Sequence, residues 1–309
     1  VTPQGVLACA PAELDVGLCV ANGQVFRWTP HERGWLGVDG PRVLWVGRDG
    51  DRILFATFPE AGRADWVREL FRLETPLDKV QRGIVEVEPD LAPVVSALPG
   101  LRVLRWHSPE ECLFSFLCSV NNHIPRITSM IDALARSLGT PLALGLNRFP
   151  GRHEIAAAGE ASLRWLGLGY RAKTLVGAAT ALGERAAGWL EGLRDLPYEE
   201  ARSEMMSLPG VGRKVADCVC LLALGQDEAV PVDTHLWHAC CERYYPEWRG
   251  RSLTQARYDE IGRRFRERFG RLAGWAHQYL FYDRLLSQGS RRARGRAVAG
   301  NTNPAISVS

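Results

Sequence analysis

The sequence predicts an α+β protein, with an antiparallel β-sheet region and accompanying helices first and a longer all-α region after it. Three observations carry this reading. Hydrophobic residues make up 46% of the 309-residue chain and charged residues 24%, enough for a buried core. Before residue 60, short β-rich runs alternate with tight-turn dipeptides. From Ser108 onward the apolar spacing becomes helical, and Gly and Pro punctuate the segments.

In chain order, the runs 16–20, 25–28, 35–38, 43–46 and 53–56 are expected strands. Asn22-Gly23, Asp39-Gly40 and Asp49-Gly50 supply the turns. Asp65 is expected to cap a helix, and a second helix over 92–98 ends at Pro99-Gly100. Ser108-Pro109-Glu110-Glu111 combines an N-cap, a first-turn proline and a capping-box glutamate. The run 112–120 is apolar nearly all round and belongs at the centre of a bundle. Helices are then expected over 126–138, 160–166, 172–190, 198–208, 213–224, 234–243, 254–269 and 273–286. The division is a sheet domain over 1–105, a helical region over 106–288 and a disordered basic tail over 289–309.

Composition excludes more than it identifies. No apolar run reaches ~18 residues, so no membrane helix is expected. Val1-Thr2-Pro3-Gln4 has neither the basic nor the apolar part of a secretory signal, so an intracellular location is expected. The net charge of +3 turns to −1 without Arg291, Arg292, Arg294 and Arg296, and does not argue for a polyanionic partner. None of the eight cysteines forms a CxxC pair, and they read as reduced, buried thiols. His235, His238, Cys240 and Cys241 make a poor zinc set, because adjacent cysteines fit a tetrahedral site badly.

The sharpest local feature is the string Leu208-Pro209-Gly210-Val211-Gly212-Arg213-Lys214 between two expected helices. Gly210, Val211 and Gly212 form a tight connection, and the second helix opens with free N–H groups that suit a phosphate. That is a helix-hairpin-helix. Lys214 lies in the first helical turn, where the dipole disfavours an ammonium, beside a nearly apolar run that includes Cys218 and Leu222. It reads either as an amine nucleophile or as a phosphate-binding lysine. Asp233 sits at the N-cap of the next helix, held and kept ionised, and suits the support of positive charge developing on a sugar. Asn121, Arg126, Tyr170 and Arg171 occupy loop tips from which side chains could meet exposed bases.

These strings resemble the 8-oxoguanine DNA glycosylase/AP lyase family of the helix-hairpin-helix glycosylases. The resemblance rests on 109–116, 167–172, 208–220, 231–238 and Gly23-Gln24-Val25-Phe26-Arg27-Trp28, in family order. It implies a TBP-like N-terminal sheet and a helical glycosylase region of two sub-bundles flanking the cleft. It also implies excision of 8-oxoguanine opposite cytosine from double-stranded DNA, with no cofactor and a monomer expected. Lys214 would be the Schiff-base nucleophile and Asp233 its supporting carboxylate. Gly23 would read the protonated N7 of the flipped base, Phe281 and Cys218 would sandwich it, and Gln24, Phe26, Leu222 and His277 would complete the pocket. Asn121, Arg126, Tyr170 and Arg171 would serve the orphaned cytosine, and His235 a phosphate.

The family commonly holds a metal ion through backbone carbonyls of the hairpin, here 208–213. The location implied is the cytoplasm or nucleoid of a prokaryote, or the nucleus of a eukaryote. Two positions depart from the pattern. His277 stands where a glutamine usually reads the base; an imidazole can donate or accept once where an amide does both, which predicts recognition that is looser or that weakens below neutral pH. Arg284 stands where an acidic residue is usual, with Asp283 before it. The rival readings are a same-fold glycosylase for other oxidised or alkylated purines and a non-catalytic DNA-binding module. Lys214 speaks against an alkylpurine enzyme without lyase chemistry, and the 23–28 motif with the Lys214 and Asp233 pair speaks against the module. The pocket is expected between the sheet and the helical region, with Gly23 reaching it from one side and Lys214 from the other.

Overall fold

The computed structural model describes residues 1–300 of the chain, with side chains through Ser287. Strand β1 (Gly5–Ala8) is followed by helix α1 (Val16–Val20), then β2 (Trp28–His31), β3 (Gly34–Asp39), β4 (Arg42–Asp49) and β5 (Arg52–Phe58). The strands form one antiparallel sheet in the order β1-β5-β4-β3-β2, with Leu36 opposite Trp45 and Val46 opposite Phe55. Alternate residues of β4 serve different faces. Leu44 and Val46 enter the main core, while Val43 and Trp45 enter a smaller cluster covered by Leu142, Ala143 and Leu146.

Helices α2 (Ala64–Phe71), α3 (Leu77–Val87) and α4 (Ala92–Ser96) complete the first part. After an irregular connector come α5 (Pro109–Cys118), α6 (Ile124–Leu138), α7 (Arg152–Leu163), α8 (Arg171–Gly183) and α9 (Trp189–Gly192). Next are α10 (Tyr198–Met206), α11 (Arg213–Leu222), α12 (Thr234–Arg243), α13 (Gln255–Phe269) and α14 (Ala273–Gly300). Almost every residue of α5 is buried, as an all-round apolar helix requires, and α11 packs on it. One apolar core runs from Leu7 to Tyr282 through both parts of the chain.

The parts are joined by buried charge. Arg27 Nη1 donates to Glu111 Oε1 at 3.0 Å, and Glu111 Oε2 accepts from Gly40 N at 3.1 Å. Both side chains are more than nine-tenths buried. Glu111 therefore does not close the expected capping box; Ser108 caps Glu111 N at 3.1 Å, but the carboxylate reaches the sheet instead. Arg72 grips Asp227 with two bonds, at 2.6 and 2.7 Å. In the connector, Trp106 N donates to the Leu222 carbonyl at 2.7 Å.

Several expectations change. The run 16–20 is a helix, because Asp15 accepts from Leu18 N at 2.9 Å and buries Val16, Cys19 and Val20 on one side. Residues 25–27 precede β2 rather than forming a strand, while β1 and α3 were not foreseen. Asp65 lies inside the first turn of α2 and pairs with Arg63, so it is not the cap. Helix α14 continues to Gly300, where irregular chain was expected from 289; its Arg- and Ala-rich run has high helix propensity. The remainder of that tail, 301–309, lies outside the described residues.

Candidate active site

Helix α10 ends at Met206, and the chain turns through the Gly-rich string before α11 begins at Arg213. Gly210 has φ +75°, and a Cβ there would lie 2.0 Å from Thr174 Cγ2 on α8. Only glycine satisfies both the left-handed backbone and that approach. Gly212 caps α11 with extended backbone and no side-chain bond, leaving the first-turn N–H groups open to a ligand. The hairpin's oxygen donors are neutral carbonyls, with Leu208's already accepting from Val211 N at 3.1 Å. Among the described residues, no group of three His, Cys, Asp or Glu side chains could hold a metal ion.

Lys214 is half-buried in the first turn of α11. Its Nζ donates to Ser119 Oγ at 2.8 Å and lies 4.9 Å from the centre of the Phe116 ring. Phe116 in turn meets Phe26 edge-on, with centroids 5.5 Å apart, and Trp106 at 6.4 Å. The floor beneath the amine is therefore built from the sheet region, the connector and α5.

Asp233 is the N-cap of α12. Its Oδ1 accepts from His235 N and Leu236 N, both at 2.9 Å, and no bond to Oδ2 occurs among the described residues. Cys218, one turn beyond Lys214, is buried. Burial pushes its thiol up to about 11, with the Lys214 cation pulling the other way and Asp233 reinforcing the rise. Burial pushes His277 down to about 4, against the opposing pull of Asp233. Its ring stacks on Phe281 at 6.0 Å, and Phe281 meets His235 edge-on at 5.6 Å. The Nδ1 atom of His235 is buried without a hydrogen-bond partner, while the His277 ring lies against the backbone of Pro231 and Gly274. Lys214, Asp233, Cys218, His235, His277 and Phe281 thus form one cluster.

A second group gathers at the α5–α6 turn. Asn121 is exposed with φ +48°, and Tyr170 is exposed with its hydroxyl 3.3 Å from the Val120 carbonyl. Arg171 is buried, donating to the carbonyls of Val120 at 3.0 Å and Asn121 at 2.8 Å while its guanidinium lies over Tyr170. It braces the turn that presents Asn121. Arg126 is exposed in the first turn of α6. Gly23, at φ +89°, packs on Ile124, the first residue of α6.

Gln24 does not open onto this space. Its amide donates to the Arg102 carbonyl at 2.9 Å and accepts from Leu104 N at 2.9 Å, stitching the connector to the sheet region. Leu222 is buried in the same seam. Arg284 Nη1 pairs with Glu242 at 2.7 Å, so its charge is neutralised on α12.

Sequence reasoning missed Ser119 and Phe116 as partners of Lys214. It also missed a buried network behind the site. Asp217, pushed up to about 6 by burial, accepts from Tyr198 Oη at 2.7 Å and Tyr258 Oη at 2.5 Å, and pairs with Arg202 at 3.0 Å. Tyr258 Oη also accepts from Val232 N at 3.2 Å, which ties α11 to the segment bearing Asp233. A buried aspartate one turn after Lys214 was the available signal.

Comparison with known proteins agrees with this geometry. Residues 6–113 match the family described as 8-oxoguanine DNA glycosylase, N-terminal domain. The N-glycosylase/DNA lyase OGG1 of Arabidopsis thaliana is 34% identical over 89% of this chain and 79% of its own. The fold is similar to that of MBOgg1 in complex with a low-affinity DNA ligand, with a TM-score of 0.81, 28% identity, and coverage of 92% of this chain and 96% of that one. It is likewise similar to the Clostridium acetobutylicum 8-oxoguanine glycosylase/lyase in complex with double-stranded DNA containing cytosine opposite 8-oxoG. There the TM-score is 0.78 and the identity 27%, over 89% of this chain and 93% of that one. With an amine and a helix-capping carboxylate gathered beside a glycine hairpin, the chain belongs to the 8-oxoguanine DNA glycosylase/AP lyase family of the helix-hairpin-helix superfamily.

Proposed function

We propose that this chain is a bifunctional glycosylase/AP lyase that excises 8-oxoguanine opposite cytosine from double-stranded DNA. The observation that carries the reading is Lys214, its Nζ held above an aromatic floor within one cluster with Asp233 and Cys218. The first-turn N–H groups of α11, presented by Gly210, Val211 and Gly212, take a phosphate, and His235 takes another through its ring. The damaged nucleotide leaves the stack and its base enters between Phe281 and Cys218. The Gly23 carbonyl accepts from the N7 proton that 8-oxoguanine has and guanine lacks. Neutral His277 offers the base one ring nitrogen as donor or acceptor. Asn121 and Arg126 face the orphaned cytosine, Tyr170 wedges beside it, and Arg171 holds the turn that carries Asn121.

Lys214 Nζ attacks C1′ as the C1′–N9 bond breaks; the bonding pair leaves with the base, which takes up the proton that the newly alkylated amine gives up. Asp233 Oδ2 stabilises the positive charge that develops on the sugar. Opening of the ring gives the protonated imine. Water or the released base takes the C2′ proton, the C3′–O3′ bond breaks so that the 3′ phosphate leaves, and water hydrolyses the imine to release the lysine. Beyond the substrate itself, the chemistry draws on the amine, the carboxylate and water alone. We place the enzyme where the cell keeps its DNA.

Borohydride trapping on a duplex with one 8-oxoguanine opposite cytosine tests the reading. The wild-type chain should form a covalent adduct, Lys214→Gln should form none, and an undamaged duplex should give none. Base release without an adduct would overturn the lysine mechanism, whereas binding without either would favour another lesion.

A further inference from the structure

The nucleophile's immediate partner is Ser119, and the geometry of that contact says more than that a hydrogen bond is present. Ser119 follows the last residue of α5. Its hydroxyl donates to the Phe116 carbonyl at 2.7 Å. With that bond directed to the carbonyl, the oxygen accepts from Lys214 Nζ, 2.8 Å away. In the neutral amine, one N–H is held by Ser119, and the nitrogen lone pair must occupy another tetrahedral direction, away from the serine. The Phe116 ring covers a second side of the nitrogen at 4.9 Å. The directions left for the lone pair are those away from both the serine and the ring.

From this arrangement we infer that Ser119 is a positioning residue for the reaction, fixing the lone pair of the Lys214 amine toward C1′ of the flipped nucleotide. The inference rests on the proposed Schiff-base chemistry of Lys214. Ser119 neither accepts nor gives up a proton in the reaction. Its effect is orientational, in keeping with the steep dependence of rate on the alignment of reacting atoms. The device links two elements that share no local sequence, since the serine and the lysine stand 95 residues apart.

Single-turnover borohydride trapping on the 8-oxoguanine duplex should compare the wild-type chain with Ser119→Ala, Ser119→Thr and Lys214→Gln. Thermal melting and affinity for the same duplex should be measured in parallel. Ser119→Ala should slow adduct formation about tenfold, the weight of one hydrogen bond to a charged or reacting group. Its duplex affinity should change less than twofold, and Ser119→Thr, which keeps the hydroxyl, should restore most of the rate.

An unchanged rate in Ser119→Ala overturns the inference. So does an equal loss in the threonine variant, or a rate loss that tracks a loss of affinity or melting temperature. Should the wild-type chain itself form no adduct, the lysine mechanism falls and this inference with it. An adduct in the wild type alongside an unaffected Ser119→Ala rejects the positioning role alone.

Discussion

At the residue scale, His277 is the clearest case of structure correcting sequence. A histidine at its ordinary value of 6.5 carries charge just below neutral pH, which is the basis of one of the two expectations for this position. Burial instead pushes it down to about 4, so the ring stays neutral through that range. The consequence for stability has a definite sign. Between pH 6.5 and about 4 the unfolded chain binds a proton that the folded chain refuses, so stability falls as pH drops through that window. Melting temperature measured against pH should fall more steeply for the wild type than for His277→Gln, and superimposable curves would refute the assignment. Lys214 and Asp233 were legible because a helix start and an N-cap are local patterns. Ser119 and Tyr258 were not, because their roles arise from contacts across 95 and 41 residues.

At the scale of elements, the hairpin makes two glycines unequal. Gly210 needs its positive φ and its contact with Thr174, whereas Gly212 has φ −90° and open space around a built Cβ. Gly210→Ala should therefore destabilise the fold by about 2 kcal/mol and weaken duplex binding. Gly212→Ala should change stability by roughly 0.5 kcal/mol, as a weaker N-cap does. Urea unfolding and a duplex titration on both variants check this, and equal effects would remove the distinction. Most helices after Ser108 were readable because their caps and periodicity agree. The run expected over 160–166, however, overlaps only the end of the longer α7, and the run expected over 172–190 is broken into α8 and α9. Ser108, Gly139, Asp233 and Thr254 flank helices close to where the sequence placed the boundaries. The run 16–20 misled because five apolar residues fit strand and helix alike, and a single aspartate before them decided the outcome.

On the scale of the whole molecule, the sheet and the helices are held by the Arg27–Glu111 pair at their junction. Replacing Glu111 by Ala leaves the Arg27 guanidinium buried without its carboxylate and should lower stability by about 3–5 kcal/mol. A combined Arg27→Met and Glu111→Leu variant should recover most of that loss, because the penalty lies in the stranded charge. Denaturant midpoints for the single and double variants measure it, and a double variant no better than the single would show that the pair contributes by another route. Sequence indicated a sheet followed by helices but gave no sign of this clamp, since Glu111 looked like half of a capping box. Nor did it show that Gln24, which sits in a recognisable motif, works as a stitch between the two parts.

The placement of the thiols bears on the setting in which such a chain would act. Seven of the eight cysteines are buried and the eighth is half-buried. Every one is pushed up by burial, with Cys19 and Cys118 at about 12 and Cys218, beside the nucleophile, at about 11. Peroxides and other mild oxidants attack the thiolate, and at neutral pH almost none is present here. Mild peroxide should therefore leave the thiols of this chain, including Cys218 beside the nucleophile, largely unoxidised.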